Sequence, residues 1–174
     1  TRSVVLVAKT IRQLTSADTK AYRDLRLEGL RLSADAFCST WDEESARPVS
    51  FFTDWIAQRT MLGGFVEQQL CGIACLRILG PETIPREGMI NAVYVSEAFR
   101  GIGMARDLMD AAVTHARHQV DVVTLNVLAS NTDALRFYEQ YGFENCGIAP
   151  SEAKTCGQFG DEIHMSMPMP SNVS

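Results

Sequence analysis

Two closely spaced glycines, Gly101 and Gly103, are the residues whose type and spacing first suggest chemistry. They follow an apolar, strand-like segment at residues 89–95 and precede residues whose apolar side chains recur at helical spacing. Backbone N–H groups at the start of such a helix can converge on an anion, which the helix dipole also favours. The pattern indicates a diphosphate site, although such a pair more often serves only a tight turn.

Two other nucleotide-binding motifs also place glycines between a strand and a helix. A P-loop continues with Lys and then Ser or Thr, whereas Met104 follows Gly103, so this motif is excluded. A dinucleotide-binding turn needs a small residue where Arg106 stands. Its ribose-binding acid belongs at the far end of the next strand, whereas Asp121 precedes the apolar run at residues 122–128. The dinucleotide motif is therefore disfavoured.

A second segment, residues 125–143, combines a strand-like apolar run with polar and aromatic residues. Asn131 stands where it can cap the helix that follows, and Ala134, Tyr138 and Gly142 come after it at regular spacing. From the spacing alone, Tyr138 is better explained as a packing residue of an amphipathic helix than as a catalytic one. The interpretation of Tyr138 therefore depends on whether the glycine loop at residues 100–105 belongs to the same site.

Together the two segments resemble the GNAT superfamily of N-acetyltransferases. Residues 100–105, Arg-Gly-Ile-Gly-Met-Ala, match the R/Q-x-x-G-x-G/A signature of the loop that binds the pyrophosphate of acetyl-CoA. Residues 125–143 are similar to the later element L-x-V-x-x-x-N-x-x-A-x-x-x-Y-x-x-x-G-F. The resemblance is strongest over residues 89–148. It implies one mixed α/β (α+β) domain over residues 1–174, with a mostly antiparallel sheet of six to seven strands flanked by helices and a splayed strand pair forming the CoA cleft.

The resemblance also implies where acetyl-CoA, the acetyl donor, would bind. The strand at residues 89–95 would hold the pantetheine arm through its backbone, and the glycine loop would hold the diphosphate through N–H groups, with two arginines adding charge. The resemblance also implies that Asn131, which caps the following helix, contacts the cofactor. The implied cofactor-binding residues are Val93, Tyr94, Val95, Arg100, Gly101, Ile102, Gly103, Met104, Ala105, Arg106 and Asn131.

The catalytic residue implied by the resemblance is Tyr138, which matches the family tyrosine near the CoA sulfur. A phenol with an ordinary pKa of about 10 is suited to protonating the departing thiolate. The base is less clear, because Asn91 stands at or near the position where many members carry Glu, and an amide cannot accept a proton at neutral pH. Ordered water, Glu28 or Glu87 remain as alternatives, as does a non-catalytic module that only binds or senses acyl-CoA.

The acceptor is expected to be an amine on a small molecule or a peptide. The acidic run at residues 42–44, beside Trp41 and ahead of Phe51 and Phe52, could form a rim that attracts a cationic amine. Such a charge run is more often a solvated surface. Amino acids, polyamines, drugs and protein amines all remain open at this point.

The elements that position these residues follow from the periodicity. Residues 4–14 are predicted to be extended, and residues 15–18 to cap a first helix over residues 22–37. A second helix is expected over residues 49–60, ended by Gly63 and Gly64, and a hairpin beyond it. The hairpin comprises residues 65–67 and 70–79; later strands are expected at residues 89–95, 122–128, 143–148 and 163–169, and later helices at residues 103–119 and 131–141.

Composition excludes several other classes of function. The net charge is −5 and no block of basic residues interrupts it, which disfavours nucleic acid as a partner. No apolar run approaches the length of about 18 residues needed to cross a membrane, and the first apolar run is too short for a signal peptide, so a cytoplasmic protein is expected. A homodimer is one option that the resemblance leaves open.

The five cysteines and three histidines show no metal-binding spacing, so neither a metal site nor a disulfide framework is expected. A redox role would need accessible thiols at Cys71 and Cys75. Their spacing of four residues on a predicted strand places both on one face, where packing is expected rather than reactivity.

Overall fold

The computed structural model describes residues 8–34, 37, 39–79, 85–149 and 160–170. The extended segment expected for residues 4–7 lies outside this part of the chain, as do Cys38 and Cys156. Within the described residues the expected architecture is confirmed, with seven strands in one sheet and helices on both of its faces.

The sheet has the strand order β1-β2-β3-β4-β5-β7-β6. All neighbouring strands are antiparallel except β4 and β5, which are parallel. Gly63 and Gly64 do not end the second helix as expected but lie inside β2, where their missing side chains leave room for Leu14 and Met104. The strands are β1 (Lys9–Gln13), β2 (Thr60–Val66), β3 (Gln69–Leu79), β4 (Glu87–Val95), β5 (Val122–Leu128), β6 (Glu144–Ile148) and β7 (Glu162–Pro168).

Helices cover the two faces of the sheet in separate layers. The first layer contains α1 (Thr19–Leu32), α2 (Trp41–Ser45) and α3 (Val49–Gln58), of which α2 contains the acidic run at residues 42–44. The second layer contains α4 (Met104–Ala116) and α5 (Thr132–Tyr141), and the hydroxyl of Tyr141 donates to Asp110 across these two helices at 2.7 Å. Each layer encloses its own apolar cluster against the sheet.

A bulge in β4 controls which side chains face each layer. Between the pairs Cys75–Asn91 and Ile73–Tyr94, β4 has one residue more than β3. The backbone of Ala92 has a φ of 52°, a left-handed conformation that is strained for a residue with a Cβ. Because of the extra residue, Asn91 and Tyr94 both lie opposite residues of the α1–α3 cluster, which contains Ile73 and Cys75.

A second bulge corrects the expectation for the cysteines. Gly64 pairs with Gly72 and Phe65 with Leu70, so Cys71 is the extra residue in β3. The bulge reverses the alternation, and Cys71 packs in the α4 cluster while Cys75 packs in the α1–α3 cluster. Both thiols are free and buried, and burial raises the pKa of Cys75 to about 11.

The parallel contact between β4 and β5 is short. Three residue pairs join the strands, from Glu87 with Val122 to Met89 with Thr124, and the pairing then stops. The rest of β4 turns away from β5, while β5 stays paired with β7 along its whole length. The splayed strand pair expected from the sequence is thereby confirmed.

A buried ion pair fastens α2 to α1. The guanidinium of Arg26 donates from Nε to one carboxylate oxygen of Glu44 and from Nη2 to the other at 2.8 Å. Both side chains are only 4% exposed. In such a site each charge depends on the other, because an unpaired ion would remain buried away from water.

We expect Glu44→Gln to lower the free energy of unfolding by about 3 kcal/mol or more, since it leaves the Arg26 charge without its partner. Urea denaturation followed by circular dichroism measures this loss. Glu43→Gln is the matched control, because Glu43 is exposed on the same short helix. Equal stability of the two variants would contradict the role of the ion pair.

Candidate active site

A cavity of about 300 Å³ lies where β4 and β5 diverge. Residues of both helical layers reach it, because the gap between the two strands interrupts the sheet. The α1–α3 side contributes Tyr22, Arg26, Phe37, Trp55, Arg59 and Met61; the strands contribute Cys75, Arg77, residues 89–93 and residues 125–128; the other side contributes Asn131, Ala134 and Tyr138.

The glycine loop precedes α4 at the edge of the α4 layer. Gly101 and Gly103 have φ angles of 81° and 80°, so both use the left-handed conformation that glycine adopts without strain. A Cβ on Gly101 would meet no atom within 4 Å, so the space over the loop is open. Gly103 caps α4, whose N-terminal N–H groups and dipole favour an anion there.

Lys9 of β1 supports this loop, a role that the sequence did not suggest. Its Nζ donates to the carbonyl oxygen of Ile102 and forms an ion pair with Asp107 at 2.7 Å. The ammonium lies 3.1 Å from the position that a Cβ on Gly103 would take. Lys9 is 93 residues away from Ile102 in the sequence, and only the fold brings them together.

Other residues of the loop that were predicted to bind the cofactor also make contacts within the protein. Met104 is buried and packs against the glycines of β2 and β3. Arg100 donates from Nε to the carbonyl oxygen of Val95 at 3.1 Å, which ties the loop to the end of β4. The guanidinium of Arg106 lies 5.6 Å from the ring centre of Tyr141. Ala105 is partly buried and packs against the α4 cluster.

The three residues predicted on β4 divide between the two faces. Val93 and Val95 contact the α4 cluster, and Val93 also lines the cavity. The side chain of Tyr94 faces the opposite layer, where its hydroxyl donates to Glu28 at 2.8 Å. Because the pairing with β5 ends at Met89, the backbone of this part of β4 has no strand partner on the β5 side among the described residues.

Asn131 lines the same cavity from the start of α5, and Tyr138 lines it from further along that helix. Asn131 caps the helix, since its side-chain oxygen accepts from the N–H of Ala134 at 3.2 Å. The ring of Tyr138 contacts Phe137 and Phe143 edge to face. Desolvation raises the pKa of Tyr138 to about 12, so the phenol remains protonated throughout the neutral range.

The two carboxylates considered as bases do not line the cavity. Glu28 accepts the hydrogen bond from Tyr94, and Glu87 accepts one from Thr124 where β4 and β5 are still paired. Asn91 does line the cavity, and its side-chain oxygen is buried without a hydrogen-bond partner. Among the described residues that line the cavity, none is an Asp, Glu or His.

The acidic run at residues 42–44 does not line the cavity. Glu44 is buried in its ion pair with Arg26, while Asp42 and Glu43 are exposed, and none of the three lines the cavity. Asp42 and Glu43 therefore fit the alternative of a solvated surface, whereas α2 turns Glu44 inward, which the sequence pattern did not indicate.

Two further findings concern only the described part of the chain. It contains no group of three or more Cys, His, Asp or Glu side chains placed to hold a metal ion. Its helices include none that combines the length and the apolar character required to cross a membrane.

Comparison with solved structures places this architecture among acetyltransferases. A ribosomal-protein-alanine N-acetyltransferase from Brucella melitensis is similar with a TM-score of 0.76 at 23% identity, over 92% of this chain and 99% of that one. The putative acetyltransferase YncA from Salmonella typhimurium, solved with acetyl-CoA, is similar with a TM-score of 0.76 at 18% identity, over 96% and 97%. A putative acetyltransferase from Acinetobacter baylyi reaches 0.78 at 16% identity, over 97% of each chain.

At these identities the structural likeness shows the fold, and a comparison with curated proteins found no match. The sequence model of the acetyltransferase (GNAT) family matches residues 26–143, which is more than half of the chain and includes both the glycine loop and Tyr138. The chain therefore belongs to the acetyltransferase (GNAT) family, and the protein is an acyltransferase of the N-acetyltransferase class.

Proposed function

We propose that the protein transfers the acetyl group of acetyl-CoA to a primary amine by direct transfer in a ternary complex. The observation that carries this proposal is the cavity at the divergence of β4 and β5, which residues of both helical layers line. The diphosphate would lie on the glycine loop and the pantetheine arm along β4, so that the thioester reaches the cavity between the strands. The acceptor would then approach from the α1–α3 side.

The reaction needs few groups from the protein. The neutral amine nitrogen attacks the thioester carbon, the C–S bond breaks as the amide forms, and the thiolate takes a proton. Tyr138 is the proton donor in this proposal, since it is the acidic group on the α5 wall of the cavity and is protonated at neutral pH. The proton lost by the amine passes to water, because no carboxylate or His of a described residue lines the cavity.

The similarity of the fold to YncA, whose structure contains acetyl-CoA, supports the choice of cofactor. A module that binds acyl-CoA without transferring it would share the loop and the cleft. Measured turnover with an amine separates the two functions, whereas binding of CoA alone does not.

Gly101→Asp tests the diphosphate site. The side chain fits the open space above the loop, but its charge would stand where the diphosphate binds, so the affinity for acetyl-CoA should fall at least about tenfold. Calorimetry measures the dissociation constant. Gly147→Asp is the matched control, because Gly147 has a φ of 88°, also has open space around it and lies on β6 away from the loop. Absence of acetyl-CoA binding by the wild-type protein would overturn the proposed function.

Tyr138→Phe tests the acid. We expect kcat to fall about 100-fold while the affinity for acetyl-CoA stays within a factor of about two, since only the proton donor is lost. Tyr141→Phe removes a hydroxyl one turn along the same helix that does not line the cavity, and it should retain normal turnover. Unchanged turnover combined with weaker cofactor binding in Tyr138→Phe would contradict the assignment.

The pH dependence tests whether a base is present. Burial raises the pKa of Tyr22 and Tyr138 to about 12 and that of Cys75 to about 11, so none of these groups accepts a proton at neutral pH. We expect kcat/KM to rise with pH up to the pKa of the acceptor amine itself. Two acceptors whose amines differ in pKa should show correspondingly different inflections, whereas one common inflection near neutral pH would reveal a base on the protein.

A further inference from the structure

The α1–α3 wall of the cavity carries an excess of positive charge. Three arginines line the cavity, Arg26 and Arg59 from the α1–α3 side and Arg77 from β3, and no carboxylate of a described residue lines it. The charge of Arg26 is neutralised by its ion pair with Glu44. Arg59 and Arg77 form no ion pair with a described residue. The net charge facing the cavity is therefore positive, although the chain as a whole carries −5.

Arg59 is held in place but has an unused donor. It follows α3 directly and precedes β2, so its backbone is fixed by both elements. Its guanidinium lies 4.6 Å from the ring centre of Trp55, and the guanidinium of Arg26 lies 4.4 Å from the same ring. The Nη1 of Arg59 is buried and has no hydrogen-bond partner within the described part of the chain. A buried charged donor without an acceptor is unfavourable, and an anionic ligand would satisfy it.

Asn91 supplies the complementary group in the same cavity. Its side-chain oxygen is also buried and without a partner, and an amide oxygen accepts hydrogen bonds from N–H donors. The cavity thus contains three buried polar atoms without a hydrogen-bond partner among the described residues: the acceptor on β4, the cationic donor at the end of α3, and the hydroxyl of Tyr22, which can donate or accept. A molecule with an amine and an anionic oxygen would satisfy the acceptor on β4 and the cationic donor.

We propose that the acceptor is a small amine that also carries a carboxylate, with the carboxylate bound by the guanidinium of Arg59 and the amine N–H held by the side-chain oxygen of Asn91. This inference rests on the proposed acetyltransferase function. A planar guanidinium is matched to a carboxylate, and the cavity of about 300 Å³ is the size of a small molecule together with the end of the pantetheine arm. Cationic polyamines would be repelled by the same wall.

Matched acceptor pairs test the inference on the wild-type protein. Small α-, β- and ω-amino acids are each compared with their own carboxamides, which keep the amine and the carbon skeleton but remove the negative charge. CoA release is measured, and kcat/KM is expressed per neutral amine because the carboxamide changes the pKa of some of these amines. We expect the carboxylate member of at least one pair to be preferred by about tenfold or more, the effect of one charged hydrogen bond.

Variants of Arg59 assign the preference to this residue. Arg59→Gln should raise KM for the preferred amino acid about tenfold while leaving its carboxamide nearly unchanged, so that the ratio within the pair falls toward one. Arg59→Lys should keep part of the preference for the carboxylate, because lysine keeps the positive charge but lacks the paired N–H donors of the planar guanidinium. Arg117→Gln removes the same charge from an exposed position outside the cavity and should leave the ratio unchanged.

The outcomes separate this inference from the proposed function. Equal rates within every pair, or no amino acid accepted by a protein that binds acetyl-CoA in calorimetry, would overturn the inference and leave the cofactor site standing. Equal losses for both members of a pair in Arg59→Gln would also overturn it, since Arg59 would then act on the thioester or on the fold. Failure of acetyl-CoA to bind would instead remove the proposed function itself.

Discussion

The limited pairing of β4 with β5 is the constraint on which the site depends. Three residue pairs join the two strands, and beyond Met89 each continues separately. A fully paired sheet would separate the two helical layers completely, because a closed ladder leaves no space for a ligand between strands. Here the divergence opens a cavity that both layers share. The bulge at Ala92 adds a second feature, since its extra residue places Tyr94 on the side of α1 and α3 that Asn91 also faces.

Two arginines near Trp55, the buried Arg26 and the half-buried Arg59, show how the same type of side chain serves different purposes. Arg26 donates to both oxygens of Glu44, so its charge is used to fasten α2 against α1. Arg59 contacts the same indole ring but has a buried nitrogen without a partner. Burial of a charge is costly unless it is paired. The ion pair therefore belongs to the structure of the α1–α3 layer, whereas the unpaired guanidinium marks the place where a ligand would complete it.

Local patterns in the sequence predicted the elements and the loop well. The strand, loop and helix around Gly101 and the cap at Asn131 each depend on residues within a few positions, and the structure has them where periodicity placed them. Family membership followed from two such local segments. The helix ends were less well predicted, because Gly63 and Gly64 were taken as a stop when close packing under Met104 explains them.

Features that depend on distant residues could not be predicted in this way. Lys9 contacts Ile102 only because β1 lies near the start of α4, and nothing around Lys9 in the sequence indicates this. The faces of Cys71 and Cys75 were misassigned because one bulge reverses the alternation along β3. The burial of Glu44 within the acidic run was not predicted, because its partner Arg26 lies on another helix. No motif around Arg59 in the sequence marked it as a candidate ligand-binding residue.

The hydrogen bond between Tyr94 and Glu28 links the two halves of the site mechanically. Tyr94 belongs to the strand on which the pantetheine arm would lie, and Glu28 belongs to α1, two residues after Arg26. A shift of β4 on binding of the arm would be transmitted through this bond to α1, the helix that would face the acceptor in the proposed reaction. Affinity for the second substrate would then depend on whether the first is bound, and by thermodynamic linkage the dependence would be equal in both directions.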